Sequence, residues 1–355
     1  MVRLRRGKVL AVTSERPGAV ELEVEVEGDA ATAIAYPTLC GPVEAGDSVV
    51  LNTTAGSLGL GTGGVHFVVA VEGGPGTEVG DHGRVMKARY TPSQTVVRSV
   101  EESHADALER SPGLEGTPVV VAPLHSMIAP AAAGARAAGA GRVAYVMTDG
   151  AALPGGFSKL VPRLRDAGLL AGFVTCGQAF DGEVEAATVW TGLLAAREVL
   201  GADVVVVADG PGNLGTATKW GVSALAGGNV MNAVAALGGR PVGALRVSFA
   251  DRRDRHMGVS HHSLTILAEV CLVPADVAVP VLPGEQREAV WSALRGAGLD
   301  ERHRLVEVEG APALELLAEL GIEVESMGRT PRDDPPFFLA SGAAGVLAVE
   351  IGSRG

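Results

Sequence analysis

"DVVVVADG", residues 203–210, places five consecutive apolar residues between two aspartates, with no alternation of apolar and polar positions. A strand covered on both faces has this pattern, whereas a half-exposed strand alternates. Similar runs are "PVVVAPL" (118–124), "RVAYVMT" (142–148), "LLAGFVT" (169–175), "PVGALRVSF" (241–249), "DVAVPVL" (276–282) and "HRLVEVE" (303–309). Because stretches of helical period separate these runs, the sequence predicts a mainly parallel, helix-covered, Rossmann-like α/β sheet domain over residues 117–355.

Residues 1–110 have a different pattern, which predicts a β-rich N-terminal domain. "AVELEVEVEG" (19–28) alternates apolar residues with glutamates, the period of a half-exposed strand, and further short runs follow between glycines and prolines. We expect a small β-barrel or sandwich-like domain. Within it, "LGLGTGGVHF" (58–67) is interpreted as a wide turn, with close approach to a phosphate as the alternative. At the other end of the chain, "RTPRDDPPFF" (329–338) predicts a loop before a final helix.

Composition excludes several classes of protein. Of 355 residues, 47% are apolar and 20% charged, which indicates a folded chain rather than a disordered one. The net charge of −12 argues against nucleic acid or a membrane surface as a partner. Three widely spaced cysteines without a CxxC motif are typical of a reducing compartment, and no apolar run approaches roughly 18 residues. We expect a cytoplasmic protein that binds a small anionic molecule, with a homo-oligomer left open.

Polar side chains follow five of the predicted strands. They are His125, Asp149, Cys176, Asp209 and Asp251. Ligands of open α/β sheets bind outside the carboxyl ends of the strands, so this succession predicts a ligand site there. Each residue alone is weak evidence, because aspartate and serine also cap helices.

Two of these strand ends share an Asp-Gly-x4-Gly pattern, in "TDGAALPG" (148–155) and "ADGPGNLG" (208–215). Such glycines permit a tight turn whose amides could hold an anion above a helix N-terminus. The equal alternative is a recurring turn with helix-capping aspartates. The candidate ligand-binding residues are Asp149, Gly150, Asp209, Gly210, Gly212 and Gly215.

The second loop also has the glycine spacing of a dinucleotide-binding turn. Pro211 stiffens that turn, and no acidic residue lies about 20 positions further on, where a ribose hydroxyl would need one. The sequence therefore weighs against NAD(P), while a divalent metal remains an open cofactor.

"DRRDRHMGVSHHS" (251–263) concentrates titratable side chains after the apolar run 241–249. A helix is predicted to begin near Ser260, whose positive end would favour neutral forms of His261 and His262. In one hypothesis a metal is held by Asp251, Asp254, His256 and one of these two histidines, with His125, Asp149 and Asp209 as further ligands. Adjacent histidines are expected to diverge, which counts against it.

In a second hypothesis Arg252, Arg253 and Arg255 clamp a phosphate or carboxylate, while a histidine acts as acid or base. The alternative to both hypotheses is a solvent-exposed loop without a functional role, in which the arginines and aspartates neutralise one another. The catalytic candidates are His256, His261, His262, Asp251 and His125. The function hypotheses are a hydrolase or transferase acting on a small anionic substrate, a metal-dependent hydrolase, and a non-catalytic nucleotide or metabolite sensor.

Four strings together resemble a bacterial family known only as a domain of unknown function. They are "GRVMKARYTP" (83–92), "YVMTDGAALP" (145–154), "ADGPGNLGTATKWG" (208–221) and "FADRRDRHMGVSHHSLT" (249–265). The resemblance covers nearly the whole chain and implies a bacterial, non-secreted, single-chain protein. It implies no activity, substrate or catalytic residue.

Overall fold

Five N-terminal strands close into a barrel in a computed structural model that describes residues 2–57, 64–74, 83–216 and 218–352. They are β1 (Leu4–Arg16), β2 (Ala19–Val26), β3 (Asp29–Ala35), β4 (Ser48–Asn52) and β5 (His66–Val71), in the order β1-β2-β3-β5-β4. Two one-turn helices, α1 (Pro37–Cys40) and α2 (Thr54–Ser57), interrupt them. The predicted barrel is confirmed. The glycines predicted as a wide turn, except Gly64, lie outside the described residues.

The alternation of β2 creates the barrel core. Leu22 and Val24 are fully buried, while Glu23 and Glu25 between and beside them are exposed. One pair of barrel strands, β3 and β5, is parallel, and the other paired strands are antiparallel. Strand direction depends on how a long connection returns to the barrel, which the apolar pattern of one strand does not contain.

Residues 83–110 pack on the C-terminal unit. They form the hairpin β6 (Val85–Lys87) and β7 (Thr95–Val97), followed by α3 (Val100–Ser103) and α4 (Ala105–Arg110). Lys87 donates hydrogen bonds to carbonyls of the C-terminal unit, and Val100 belongs to the core on one face of its sheet. The division of the chain into residues 1–110 and 117–355 stays a prediction.

Among the described residues, eight strands form one sheet. They are β8 (Pro118–Val121), β9 (Val143–Thr148), β10 (Gly172–Thr175), β11 (Val184–Glu185), β12 (Val204–Asp209), β13 (Arg240–Ala244), β16 (Asp276–Pro280) and β17 (Arg304–Val308), all parallel. Between β13 and β16, the short strands β14 (Val247–Ser248) and β15 (Gly258–Val259) pair as an antiparallel ribbon. The prediction of a single strand over 241–249 was therefore wrong, because the chain leaves the sheet after Ala244.

Helices cover both faces of the sheet. They are α5 (Ile128–Ala137), α6 (Leu160–Asp166), α7 (Val189–Glu198), α8 (Ala226–Ala236), α9 (His261–Thr265), α10 (Gly284–Gly296), α11 (Leu299–Arg302), α12 (Ala311–Glu319) and α13 (Pro335–Gly352). Alternate β12 residues serve different cores: Val206 packs with the α5, α12 and α13 side, and Val207 with the α7 and α8 side. The continuous apolar runs follow from this double burial, and the mixed α/β fold with an N-terminal barrel is confirmed.

The last helix, α13, includes residues that the sequence assigned to a loop. Pro335 and Pro336 occupy its first turn, where the amide that proline lacks has no helical partner. By length and composition α13 could cross a membrane, but 67% of it is buried inside the protein, as expected of a core helix. Its glycines allow close packing on α5: a Cβ on Gly134 would lie 2.2 Å from the carbonyl oxygen of Gly342.

The sheet order is β11-β10-β9-β12-β8-β13-β16-β17. After β8 the chain moves to one side for β9 and β10, and later to the other side for β13, β16 and β17. The order therefore reverses at the centre of the sheet, around β8, β12 and β13. Crevices at such reversals are where open α/β sheets bind ligands.

Candidate functional site

An open cleft of about 1640 Å³, here called the central cleft, lies at the carboxyl ends of β8, β12 and β13. Residues 123–126, 211–216 and Arg246 line it from the sheet, and β1–β3 and residues 321–327 and 330–332 line it from other sides. Its charged side chains, among the described residues, are Arg16, Lys159, Arg163, Arg246, Arg253, Arg255 and Arg332 against Glu21, Glu323 and Glu325. The cleft is thus cationic in a protein of net charge −12, and exceeds the roughly 300–1,000 Å³ of ordinary small-molecule sites.

The barrel is joined to the α/β unit at this cleft. Glu21 of β2 receives ion pairs from Arg16, at 2.7 Å, and from Lys159, at 2.6 Å. Arg16 also donates through Nε to the carbonyl of Gly156 at 2.7 Å. Arg16 and Glu21 are largely buried, and their contacts with the α/β unit fix the barrel as one wall of the cleft.

The loop 249–257, here called the arginine loop, connects β14 to β15 and folds back over the start of α9. Asp251 organises it. Arg253 donates to both carboxylate oxygens of Asp251 through Nε and NH2, and the buried Arg246 donates to Oδ2 at 3.0 Å. Arg329 adds a third guanidinium 3.6 Å from Oδ2. These hydrogen bonds, led by the one from Arg253, hold the pKa of the Asp251 carboxyl well below its usual range.

Arg246 has unused hydrogen-bonding capacity. Its side chain is 7% exposed and lines the central cleft, and its Nε has no hydrogen-bond partner within the part of the chain that the structure describes. Burial lowers its pKa to about 10, so it stays charged at neutral pH. A buried guanidinium that lines a cleft and has an unpaired donor is suited to bind an anion.

Three histidines lie beside Arg246, Arg253 and Arg329, here called the arginine cluster. The rings of His261 and His262 lie 4.0 Å apart between centroids, and that of His256 lies 5.3 and 5.1 Å from them. The predicted helix start is confirmed, because Ser260 caps α9 by accepting from the amide of His262 at 3.3 Å. The expected divergence of the adjacent histidines was wrong, since in this first helical turn both rings turn towards His256.

All three imidazoles are held in the neutral form. Burial lowers the pKa of His256 to about 3 and that of His262 to about 4, and the positive charge of Arg246 acts in the same direction. The pKa of His261 is also lowered, by burial first and then by Arg255. A neutral imidazole can accept a proton, accept a hydrogen bond or bind a metal.

His125 lines the central cleft beyond the end of β8, as the strand-end argument expects. Its Nε2 lies 2.8 Å from Ser158 Oγ and its Nδ1 3.3 Å from the hydroxyl of Tyr145. Ser158 Oγ already accepts from the amides of Leu160 and Val161, so its proton points to His125. The ring is therefore held between two hydroxyl groups, and burial lowers its pKa to about 4.

The two Asp-Gly loops are packed against each other. Asp209 accepts from Thr148 Oγ1 at 2.6 Å and from the Gly150 amide at 3.2 Å, and a Cβ on Gly150 would lie 2.5 Å from Asp209 Oδ2. Asp149 accepts from the amide of Gln178 at 2.8 Å. Neither loop leads directly into an α-helix over the described residues: a 3₁₀ turn (Gly155–Phe157) follows the first loop, and α6 and α8 begin at residues 160 and 226. Anion binding by these two loops stays a prediction.

The central cleft collects only part of the predicted site. The predicted residues that line it are His125, Gly212, Gly215, Arg253, Arg255, His256 and His262. Those that do not are Asp149, Gly150, Asp209, Gly210, Asp251, Arg252, Asp254 and His261. The predicted metal ligands are also grouped differently: His262 joins His256 and His261, while Asp251 is engaged by arginines and Asp254 is exposed.

Another strand-end residue, Cys176, is buried and has no access to the cleft. Its thiol lies 3.2 Å from the carbonyl of Met147, and burial raises the pKa of the thiol to about 12. The group is therefore a neutral core thiol and not a thiolate nucleophile.

Sequence reasoning missed Arg246, Arg329 and Asp334. Arg246 is a lone cation inside an apolar run, and this pattern could have identified it as a candidate site residue. Arg329 and Asp334 lie about 80 residues further along the chain, and Asp334 accepts from Ser248 Oγ at 2.6 Å. No local pattern predicts that contact, because it depends on how α13 enters the fold.

The sequence of the chain matches one family model, described as "Protein of unknown function (DUF3866)", over residues 32–345. No curated protein and no solved structure matches the chain. The matched residues include part of the barrel, the whole sheet and most of α13, and they confirm the resemblance to a domain of unknown function. The chain therefore belongs to the family described as Protein of unknown function (DUF3866).

Proposed function

We propose that the central cleft binds a small anionic molecule through a phosphate or carboxylate group. The observation that carries this proposal is the buried Arg246, whose Nε has no hydrogen-bond partner among the described residues and which lines the cleft. Arg253 and Arg255 stand beside it in the same wall. An anion there would satisfy the free donor and offset the positive excess of the arginine cluster.

Asp251 does not supply that compensation by itself. One carboxylate is shared by Arg246, Arg253 and Arg329, and Asp334 adds one more negative charge, 3.3 Å from Arg329. The three guanidiniums therefore exceed the two carboxylates, and the exposed Arg255 increases the excess. A positively charged wall in a large cleft favours a ligand with more than one negative group, such as a phosphorylated metabolite or nucleotide.

The proposal includes catalysis: the protein would act on this ligand as a hydrolase or a transferase. Neutral His256 and His262 line the same wall as Arg253, so without a metal ion on these histidines a proton acceptor and an anion-binding group face one space. The competing function is a sensor that binds without turnover. Release of product from a panel of phosphoesters and amides favours the enzyme, whereas ligand-induced stabilisation without product favours the sensor.

The test of anion binding uses isothermal titration of the full chain with inorganic phosphate, pyrophosphate and citrate. Arg255→Gln removes an exposed cation of the cleft, and Arg252→Gln is the matched control, since Arg252 is exposed in the same loop but does not line the cleft. We expect Arg255→Gln to weaken binding about tenfold, the value of one charge-assisted hydrogen bond, and Arg252→Gln to leave it unchanged. Equal effects of both substitutions, or no binding of any anion, would contradict the proposal.

Cytoplasmic location and the absence of nucleic-acid and membrane partners belong to the same proposal. The free cysteines, two of them buried, and the net charge of −12 support it. A homo-oligomer is compatible with it, and sedimentation of the purified chain measures that state.

A further inference from the structure

The histidines of the arginine loop and of α9 meet at one point. One nitrogen each of His256, His261 and His262 lies within 4.8 Å of the other two. We infer that these three side chains form a binding site for a divalent transition metal of the Zn²⁺ class, in the wall of the central cleft. This site goes beyond the proposed anion binding and does not depend on it.

Two of these three histidines have a buried ring nitrogen without a hydrogen-bond partner among the described residues. Nε2 of His261 and Nε2 of His262 make no hydrogen bond to any residue that the structure describes, and His262 is only 7% exposed. A buried polar atom without a partner costs free energy, and a bound ion is one of the explanations for such an atom. A metal ion shared by the three imidazoles would accept the lone pairs of these two nitrogens and so explain why they have no hydrogen-bond partner.

His256 is oriented for the same role. Its Nδ1 lies 2.8 Å from Ser260 Oγ, which also accepts from the amide of His262. When Nδ1 donates its proton to that oxygen, Nε2 carries the free lone pair. A hydrogen bond from the second ring nitrogen is the usual support of a metal-binding histidine, since it fixes both tautomer and ring orientation.

The ligand set selects the kind of metal. Three neutral imidazoles suit Zn²⁺, Co²⁺ or Ni²⁺, whereas Mg²⁺ and Ca²⁺ prefer oxygen ligands. With Zn–N bonds of about 2.0–2.1 Å, tetrahedral ligands stand about 3.4 Å apart, so rotations of the rings by small angles would close the site. Three protein ligands leave a fourth position for water or another ligand, and two of the three histidines, His256 and His262, line the central cleft.

The surrounding charge makes metal and anion cooperate. Arg246, Arg253 and Arg255 all act on these histidines, and they disfavour a bare dication. An anion bound in the cleft would offset that repulsion. This coupling, unlike the metal site, rests on the proposed function, and by reciprocity each ligand should tighten the other.

The experiment is a Co²⁺ titration of the metal-stripped full chain, followed through the visible d–d bands of tetrahedral Co²⁺ and displacement by Zn²⁺. We expect one equivalent to bind. His256→Ala and His261→Ala should each abolish the bands, and His104→Ala is the matched control, since His104 is an exposed histidine outside the cluster. Because His256 is buried, its substitution could unfold the protein. His261 is partly exposed, so we expect the His261→Ala variant to retain the fold, and circular dichroism would verify this.

Absence of tetrahedral bands in the unsubstituted chain would overturn the inference. So would bands of unchanged intensity in the folded His261→Ala variant. Repeating the titration with inorganic phosphate separates the two proposals. Metal binding without any anion binding would contradict the proposed function alone, and anion binding without metal would contradict this inference alone.

Discussion

Arg253 and Asp251 form a two-pronged ion pair: Nε of the arginine lies 2.9 Å from Oδ1 of the aspartate, and NH2 lies 2.7 Å from Oδ2. The two residues are two positions apart in sequence, and the Arg253 amide also donates to Oδ1 at 3.1 Å. The pair fixes the backbone of the arginine loop and turns Arg253 towards the central cleft. Asp251 therefore acts as a positioning residue for the cationic wall.

Replacing Asp251 by asparagine should destabilise the protein by about 3 kcal/mol, because buried guanidinium charge would lose its carboxylate partner. Asp254→Asn is the matched control: Asp254 is exposed in the same loop, and a surface substitution there should cost within about 0.5 kcal/mol. Urea unfolding of the three proteins measures both free energies. A cost for Asp251→Asn no larger than that of the control would show that the loop holds without the ion pairs.

Titration of His125 should make stability depend on pH. Burial lowers its pKa in the folded protein to about 4, whereas the unfolded chain has the ordinary value near 6.5, so the unfolded state binds more protons between these values. Its contribution is complete above pH 6.5 and is lost as the pH falls towards 4. Tyr145 and Ser158 face the ring with neutral hydroxyls, and the Asp209 backbone opposes the shift only in part.

The expected loss from this group between pH 7 and pH 5 is about 2 kcal/mol. His125→Gln removes the titration, and histidines elsewhere titrate equally in both proteins. The free energy of unfolding, measured by urea at the two pH values, should therefore fall by about 2 kcal/mol more in the unsubstituted chain than in the variant. Equal losses would mean that His125 can be protonated in the folded state.

The fold was predictable where burial leaves a local pattern. The apolar runs of β8, β9 and β12 indicated a doubly covered parallel sheet because each is buried on both faces. Direction and order of strands depend on distant packing, so the parallel β3–β5 pair was not predicted. Pro335 and Pro336 misled because proline breaks a helix only after its first turn.

The candidate site was predictable to the extent that one segment contains it. Arg253 and His256 were found because the arginine loop is continuous in sequence, and His125 because it follows a central strand. Asp149 also follows a strand, but β9 lies beyond β12 from β8, so that side chain falls outside the cleft. Contacts such as Ser248 with Asp334 join segments 86 residues apart and leave no local signal.

Substitution by alanine should destabilise the protein at Gly150 and have little effect at Gly215. A Cβ on Gly150 would lie 2.5 and 2.6 Å from the two carboxylate oxygens of Asp209, and overpacking of this kind costs about 1–3 kcal/mol. A Cβ on Gly215 would lie 3.9 Å from its nearest neighbour, Val222 Cγ2, so Gly215→Ala should cost within about 0.5 kcal/mol.

Thermal or urea unfolding of the two glycine variants compares these costs. Because Gly215 lines the central cleft and Gly150 does not, phosphate titration of the same variants separates packing from binding. A stable Gly150→Ala protein would refute the close packing of the two Asp-Gly loops.

Lys87 of β6 connects the β6–β7 hairpin to the C-terminal unit. It is fully buried, and its Nζ donates to the carbonyls of Ala179 and Ala186, each at 2.9 Å, and lies 3.4 Å from Glu185 Oε2. Its charge opposes the rise that burial causes in the pKa of Glu185. The β6–β7 hairpin is thus fastened to the edge of the sheet by one ammonium group.

Lys87→Met keeps the volume of the side chain and removes the charge, which leaves a buried carboxylate and two carbonyls without their donor. We expect a loss of about 3–5 kcal/mol in the free energy of unfolding, against about 0.5 kcal/mol for Arg89→Met, an exposed cation of the same hairpin turn. Adding Glu185→Gln to Lys87→Met should recover part of the loss, because the unpaired charge is then gone. If the double variant is no more stable than Lys87→Met, the cost comes from the two carbonyls that lose their donor. If Lys87→Met is as stable as the Arg89→Met control, the ammonium group does not hold the hairpin on the sheet.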